Sequence, residues 1–226
     1  MQAARYAVDL IQDGMVVGLG TGSTTRYALE ALSEKIKGGA LKNVVGIPSS
    51  ERTAKIAKNL KIPLSDFSQF KNADISIDGA DEVDAHLNLI KGGGGALLRE
   101  KILAQASIRF VIIIDESKYS DILGRKWPVP VEVLPFAEPL ERAFLESLGA
   151  KVVLRHTKKN EVYRTDQNNY IFDCAFGRIA DAETLAQALA ARSGIMEHGL
   201  FINLATDVVV ATEEGIRHLQ KDGDQN

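Results

Sequence analysis

Cysteine is all but missing from this chain, in which Cys174 stands alone. A single thiol excludes an intramolecular disulfide and every CxxC metal pattern, and it suits a reducing compartment. Long apolar runs are missing as well, since none approaches the roughly 20 residues that a membrane-spanning helix needs. The opening stretch MQAARYAVDLIQDGM carries acids and no signal-peptide core. The expectation is a soluble, cytoplasmic protein that does not contact a membrane. There is no basic excess: 27 Lys and Arg face 30 Asp and Glu, a formal net charge of -3. With the cations dispersed rather than striped, a general nucleic-acid footprint is excluded and a small molecule is left as the ligand. Several catalytic signatures are absent too. No GxSxG, HExxH, EF-hand or Walker A pattern occurs, and none of His86, His156, His198 and His218 lies in a recognisable triad context. A serine-nucleophile mechanism therefore lacks its residues, while the acids of DGADEVD with His86 nearby leave a divalent-metal site open as a minor alternative that no motif spacing supports.

What is present is an ordinary globular composition, 45% hydrophobic and 25% charged over 226 residues, enough for one large domain or two small ones. Apolar strand patterns at 15–19, 43–47, 74–77 and 109–114 alternate with helical patterns that end near residue 12, begin around Thr24, and span 50–60 and 96–106. That alternation predicts a parallel sheet covered on both faces, with a ligand crevice at the carboxyl ends of its strands. At Trp127 the pattern changes, because WPVPVEVLP sets prolines around a short apolar strand. Beyond it, strands at 131–134, 151–155, 170–175 and 196–202 and helices at 139–148 and 181–192 fall in the order βαββαβ, the ferredoxin-like pattern. No cluster of catalytic residue types occurs there, so this part reads as a structural or subunit-contact module. Residues 208–210 then return to the first sheet, followed by a terminal helix and a frayed polar tail. The fold class is thus α/β: a Rossmann-like parallel-sheet domain over 1–127 and 206–226, with a smaller ferredoxin-like α+β domain over 128–205.

Two stretches carry the chemistry. The first, GLGTGSTT, joins a strand to a helix start, where backbone amides and the hydroxyls of Thr21, Ser23 and Thr24 make a cradle for a phosphate or a sugar hydroxyl. It is not a dinucleotide fingerprint, because Ser23 stands at the third glycine position and no ribose-binding acid follows the next strand. The second runs from Asp78 to Lys101. A hydrophobic strand feeds into Asp78, Asp81, Glu82 and Asp84, and Lys91 then precedes Gly92, Gly93, Gly94 and Gly95, which free the backbone to approach an anion closely before a helix starts. On that helix Glu100 shares a face with Ala96, Leu97, Leu103 and Ala104, so its carboxylate points where the apolar stripe points. An acid in a first turn also satisfies the helix dipole, but beside Lys91 and the aspartates the inward position is the telling one. Lys118, after the 109–114 strand, adds a cation for a phosphate. A carboxylate on an apolar face, a lysine beside backbone amides and spare aspartates are what is needed to move a proton next to a carbonyl.

GLGTGST, SIDGADEVD, IKGGGGALLREK and PVEVLPFA, in this order and spread over nearly the whole chain, resemble ribose-5-phosphate isomerase of the A type. The resemblance implies interconversion of ribose 5-phosphate and ribulose 5-phosphate in the pentose phosphate pathway, with no metal and no other cofactor. It assigns proton transfer to Glu100, stabilisation of enediolate charge to Lys91, and ring opening and hydroxyl handling to Asp78 and Asp81. Substrate-binding positions are Thr21, Gly22, Ser23, Thr24, Asp78, Gly79, Ala80, Asp81, Lys91, Gly92, Gly93, Gly94 and Lys118. The family is similarly homodimeric, often with higher assembly, which implies a homodimer or a dimer of dimers. Two rivals stand beside this reading. A related amino-sugar phosphate isomerase and deaminase would release ammonia. A non-enzymatic sugar-phosphate sensor would need the DNA-binding helix pair that is missing here.

Overall fold

Residues 110–114 and 208–210 present apolar side chains to both faces of a strand, so they are stable only in a sheet covered on both sides. In the computed structural model, which describes residues 1–221, both runs are buried inside one mostly parallel sheet. The chain runs α1 (Gln2–Val8), β1 (Val16–Leu19), α2 (Ser23–Lys37), β2 (Val45–Pro48), α3 (Glu51–Asn59) and β3 (Ala73–Gly79). The short strands β4 (Glu82–Val83) and β5 (Leu89–Ile90) follow, then α4 (Leu97–Gln105), β6 (Ser107–Asp115) and a 3-10 turn, Glu116–Lys118. Next come β7 (Val129–Val133), a second 3-10 turn at Pro135–Ala137, α5 (Glu138–Ser147), β8 (Lys151–Leu154), β9 (Tyr170–Ala175) and α6 (Ala182–Ala190). The described chain closes with β10 (Ile195–His198), β11 (Leu200–Phe201), β12 (Asp207–Thr212) and β13 (Gly215–Gln220).

Two compact units result. The first comprises Met1–Ala80, Arg99–Ser117 and the chain from Leu204, the second Asp81–Leu98 and Lys118–Asn203. In the first, the sheet order is β13-β12-β6-β3-β1-β2, parallel throughout except for the β12–β13 hairpin. Val17, Leu19, Ile75, Ile77 and Val111 pack with α1 and α2 on one face, and Val16, Ile47 and Ala73 pack with Leu103 of α4 on the other. Helix ends follow the local rules. Ser50 caps α3 by accepting from the Thr53 amide at 3.0 Å, and Lys35 and Lys37 sit in the last turn of α2, where the dipole favours cations. The strand order reverses between β1 and β3, so the crevice at their carboxyl ends is the switch point of the sheet.

The second unit contains a four-stranded antiparallel sheet, β10-β7-β9-β8, with α5 and α6. This order and the βαββαβ succession are those of the ferredoxin-like fold. Val129, Val131 and Val133 bury one pleat face with Phe172, Leu145 and Leu189. Cys174 lies in the same core as a free thiol whose titration is pushed well above the ordinary thiol range, chiefly by burial, so it serves as inert packing.

The structure corrects several boundaries. Residues 81–98 and 118–127, expected in the parallel-sheet domain, belong to the second unit, because β4 and β5 pair with β11 in a three-stranded sheet of their own. The strand expected over 196–202 is broken at Gly199. Its ends join different sheets, and a Cβ at Gly199 would lie 2.3 Å from the Lys91 carbonyl. The terminal helix is instead strand β13, paired in register with β12 from Asp207–Gln220 to Thr212–Gly215. The first helix ends at Val8 rather than near Gln12. The tail expected to fray, 222–226, lies outside the described residues.

Candidate active site

In the first unit, β1 delivers the chain into the glycine loop, and the packing explains why its glycines are there. A Cβ on Gly18 would lie 1.7 Å from Ser76 Oγ, and one on Gly20 would lie 2.2 Å from Asp78 Oδ1. These glycines make room for β3 side chains rather than for a ligand. Gly22, the N-cap of α2, has φ +153°, a backbone that side-chain-bearing residues rarely adopt. Thr21 is buried, and its hydroxyl donates to Ser50 Oγ at 2.7 Å, with Ser49 Oγ at 2.8 Å and Thr53 Oγ1 at 2.9 Å. That hydroxyl therefore ties β1 to the start of α3, and the loop's exposed donor is Ser23, with Thr24 half-buried. Because the first amides of a helix lack partners within it, the start of α2 presents N–H groups at this end of the sheet.

Asp78, 3% exposed, ends β3 at the switch point. Its Oδ1 accepts from the amides of Thr21 at 3.1 Å and Gly79 at 2.8 Å, and from Thr25 Oγ1 at 3.4 Å, which fixes the carboxylate's direction. Glu100 of α4 is 2% exposed, and Leu97, Leu103 and Ala104 are buried with it, so the inward stripe read from the spacing is present. Leu103 lies against Gly18, at 3.0 Å from a Cβ placed there. Glu100, one turn nearer the helix start, therefore projects on the face of the sheet that Asp78 occupies, toward the carboxyl ends of β1 and β3.

In the second unit, Asp81 Oδ2 accepts from the Gly93 amide at 2.7 Å. Lys91 is 2% exposed, and its Nζ lies 5.4 Å from the centroid of the Phe201 ring. Lys118 is half-buried in the 3-10 turn, with Nζ 5.0 Å over the Trp127 ring. The other acids of the run have structural partners. Glu82, wholly buried, accepts from the amides of Gly124, Arg125, Lys126 and Trp127 at 3.1–3.3 Å. Asp84 holds its own turn through the amides of His86 at 2.9 Å and Asn88 at 2.8 Å. Among the described residues, no group of three or more His, Cys, Asp and Glu is placed to hold a metal.

The proposed residues thus fall into two sets. Thr21, Gly22, Ser23, Thr24, Asp78, Gly79, Ala80 and Glu100 belong to the first unit, and Asp81, Lys91, Gly92, Gly93, Gly94 and Lys118 to the second. Two side chains that reach the glycine loop, Arg155 and Tyr163, fall in the part read as a structural or subunit-contact module and were not singled out from the sequence. Arg155 donates to the carbonyls of Gly92 and Gly93, and Tyr163 Oη to that of Gly94. No short-range signal reveals them, because the partners are more than 60 residues apart.

An α/β sheet with a buried carboxylate on a crossover helix, a second at its switch point and a helix start beside them is the furniture of an enzyme that moves protons on a small anionic substrate. Comparison with known proteins narrows that class. Residues 45–215 match the family model of ribose 5-phosphate isomerase A (phosphoriboisomerase A), and the chain belongs to this family. It is 52% identical to ribose-5-phosphate isomerase A of Desulfatibacillum aliphaticivorans, with 97% of this chain and 95% of that protein aligned. The relative from Chloroflexus aurantiacus is 49% identical over 96% of this chain and 91% of its own length. A solved D-ribose-5-phosphate isomerase in complex with phospho-erythronic acid superposes with a TM-score of 0.94 at 41% identity, covering 96% of each chain.

Proposed function

We propose that this protein interconverts D-ribose 5-phosphate and D-ribulose 5-phosphate through an enediolate, in the non-oxidative branch of the pentose phosphate pathway. One observation carries the reading beyond family membership: a fully inward carboxylate, Glu100, on the crossover helix of a switch-point sheet. In the opened sugar, Glu100 takes the proton from C2, and the electron pair moves through C1–C2 onto the C1 oxygen. The C2 hydroxyl proton passes to the C1 oxygen, the C2–O bond becomes the carbonyl, and the C1–C2 electron pair takes the proton back from Glu100 at C1, which leaves the ketose with Glu100 again ionised. The Lys91 ammonium and the amides of Gly92 and Gly94 meet the developing enediolate charge, while the Gly93 amide holds Asp81. Asp78 and Asp81 handle ring opening and the sugar hydroxyls. The start of α2, with Gly22, Ser23 and Thr24, and Lys118 receive the phosphate, while Thr21 holds that loop in shape through its hydroxyl knot and Gly79 and Ala80 carry backbone past the ligand.

We propose a metal-free reaction, in which the positive charge of Lys91 supplies the stabilisation that a Lewis acid otherwise would. We place the protein in the cytoplasm, as a homodimer that can pair again; the subunit contact, though not the location, is supported by Phe136 and Leu140 on the second unit, 94% and 66% exposed. Purified protein supplied with ribose 5-phosphate forms ketose at a rate that exhaustive chelation leaves unchanged. Absence of ketose overturns the activity, and loss of rate on chelation, restored by a divalent ion, overturns the metal-free mechanism.

A further inference from the structure

Consecutive glycines are the least ordered backbone a protein can use, since each loses more conformational freedom on folding than any other residue. An anion site made of their amides is useful only if something else holds the peptides in place. In this chain the Gly95 amide closes the loop on the Gly92 carbonyl at 2.9 Å, and the holding group from outside the loop is a guanidinium that follows β8. Arg155 Nη1 donates to the carbonyl of Gly92 at 3.0 Å and to that of Gly93 at 3.3 Å. The guanidinium is in turn locked by Asp173, with Nε to Oδ2 at 2.9 Å and Nη2 on Oδ1, and its side chain is only 13% exposed. Tyr163 lies against it, the Arg155 guanidinium carbon standing 5.9 Å from the ring centroid. The same tyrosine fills the space beside Gly95, where a Cβ would lie 2.2 Å from Tyr163 Oη, and that hydroxyl reaches the Gly94 carbonyl at 3.5 Å.

In a trans peptide the carbonyl and the amide of one plane point in opposite directions. Holding the Gly92 carbonyl on Arg155 therefore turns the Gly93 N–H away from it, and that N–H is the one received by Asp81 at 2.7 Å. Holding the Gly93 carbonyl turns the Gly94 N–H the same way. A cation on the carbonyl end also polarises each peptide, which makes its N–H a stronger donor. We infer that Arg155, clamped by Asp173 and backed by Tyr163, is a positioning residue for the isomerase reaction: it orients and polarises the Gly92–Gly93 and Gly93–Gly94 peptides, and through them Asp81, without touching substrate. The inference rests on the proposed function.

The test compares Arg155→Met, Arg155→Lys and Asp173→Asn with the parent enzyme. Arg155→Met keeps the stem and loses the fork. It lowers kcat by about 10-fold or more, with a smaller change in KM, because the loss is in transition-state geometry. Arg155→Lys restores only part of the rate, since one ammonium cannot bridge two carbonyls and a carboxylate. Asp173→Asn adds little to Arg155→Met, as expected of groups that act as a unit. Amide hydrogen exchange supplies a readout that needs no turnover: the Gly93 N–H loses protection in Arg155→Met while the amides of β7 and β9 keep theirs. Unchanged kcat in a folded Arg155→Met, or protection lost evenly across β7, β9 and the loop, overturns the inference. If the parent itself makes no ketose, the activity reading has failed, and the exchange result still decides whether Arg155 positions the loop.

Discussion

At the scale of single residues, acids that look alike in the sequence do different work because their partners differ. Glu82 is spent on four backbone amides, and Asp84 on its own turn. Asp78 and Glu100 are also buried, but they sit where the strand order reverses, and that is why they remain the chemical candidates. Glu100→Gln keeps the size of the side chain and removes the base. It lowers kcat by at least about 10²-fold, the lower end of what general-base catalysis contributes, and leaves substrate affinity much less changed. Steady-state kinetics on the folded variant checks this. A kcat near the parent value would make Glu100 an ordinary first-turn acid and send the search for the base to Asp78 and Asp81.

At the scale of elements, the apolar strands and most helix spans were legible because each rests on neighbours in the chain. Ser50 and Asp181, at the start of the helices expected over 50–60 and 181–192, cap α3 and α6, and 110–114 is a buried strand because its side chains leave no face for water. The misses have one cause. Two-residue strands such as β4, β5 and β11 contain no period to read, and β13 reads as a helix until Asp207–Gln220 pairing on β12 is known. Asp207 shows how that pairing is secured. It accepts from Arg109 of β6 at 2.6 and 2.8 Å, from His218 and Gln220 of β13 at 2.7 and 3.2 Å, and from Thr206 at 2.7 Å. Burial alone would push its carboxyl up, but the hydrogen bonds from Arg109, Thr206, His218 and Gln220 outweigh it and hold the group far below the usual carboxylate range. A depressed folded value means that the unfolded chain binds the proton first as pH falls. The Asp207 contribution is therefore fully present above about pH 4 and is lost below it. Asp207→Asn costs about 3 kcal/mol at pH 7 and flattens the acid limb of the stability curve. Urea unfolding between pH 3 and 7 measures both, and an acid limb as steep as the parent's would place the acid-sensitive group elsewhere.

At the scale of the whole molecule, the chain leaves the parallel-sheet unit after Ala80 and returns to it at Arg99, so the proposed catalytic residues are divided between two units that one polypeptide crosses repeatedly. The sequence motifs were conspicuous while the division was not, because a boundary set by β5 pairing with β11 joins residues about 110 positions apart. The ferredoxin-like unit carries the molecule's most conspicuous exposed apolar stretch: Leu134, Phe136 and Leu140 are 37%, 94% and 66% exposed at the turn into α5. A phenylalanine with nearly its whole side chain in water costs about 1.5–3 kcal/mol relative to burial, and aromatic side chains of this kind are the ones that anchor subunit interfaces. The homodimer proposed above accordingly buries Phe136. In sedimentation at micromolar concentration the protein runs at twice the 24.6 kDa chain mass. Phe136→Ser with Leu140→Ser shifts it toward the single-chain mass, while the α/β signal in circular dichroism is retained, since neither side chain belongs to the buried core. A double variant that still sediments as a dimer would move the subunit contact to another face, and a parent protein that sediments as a monomer would leave the exposed phenylalanine without that role.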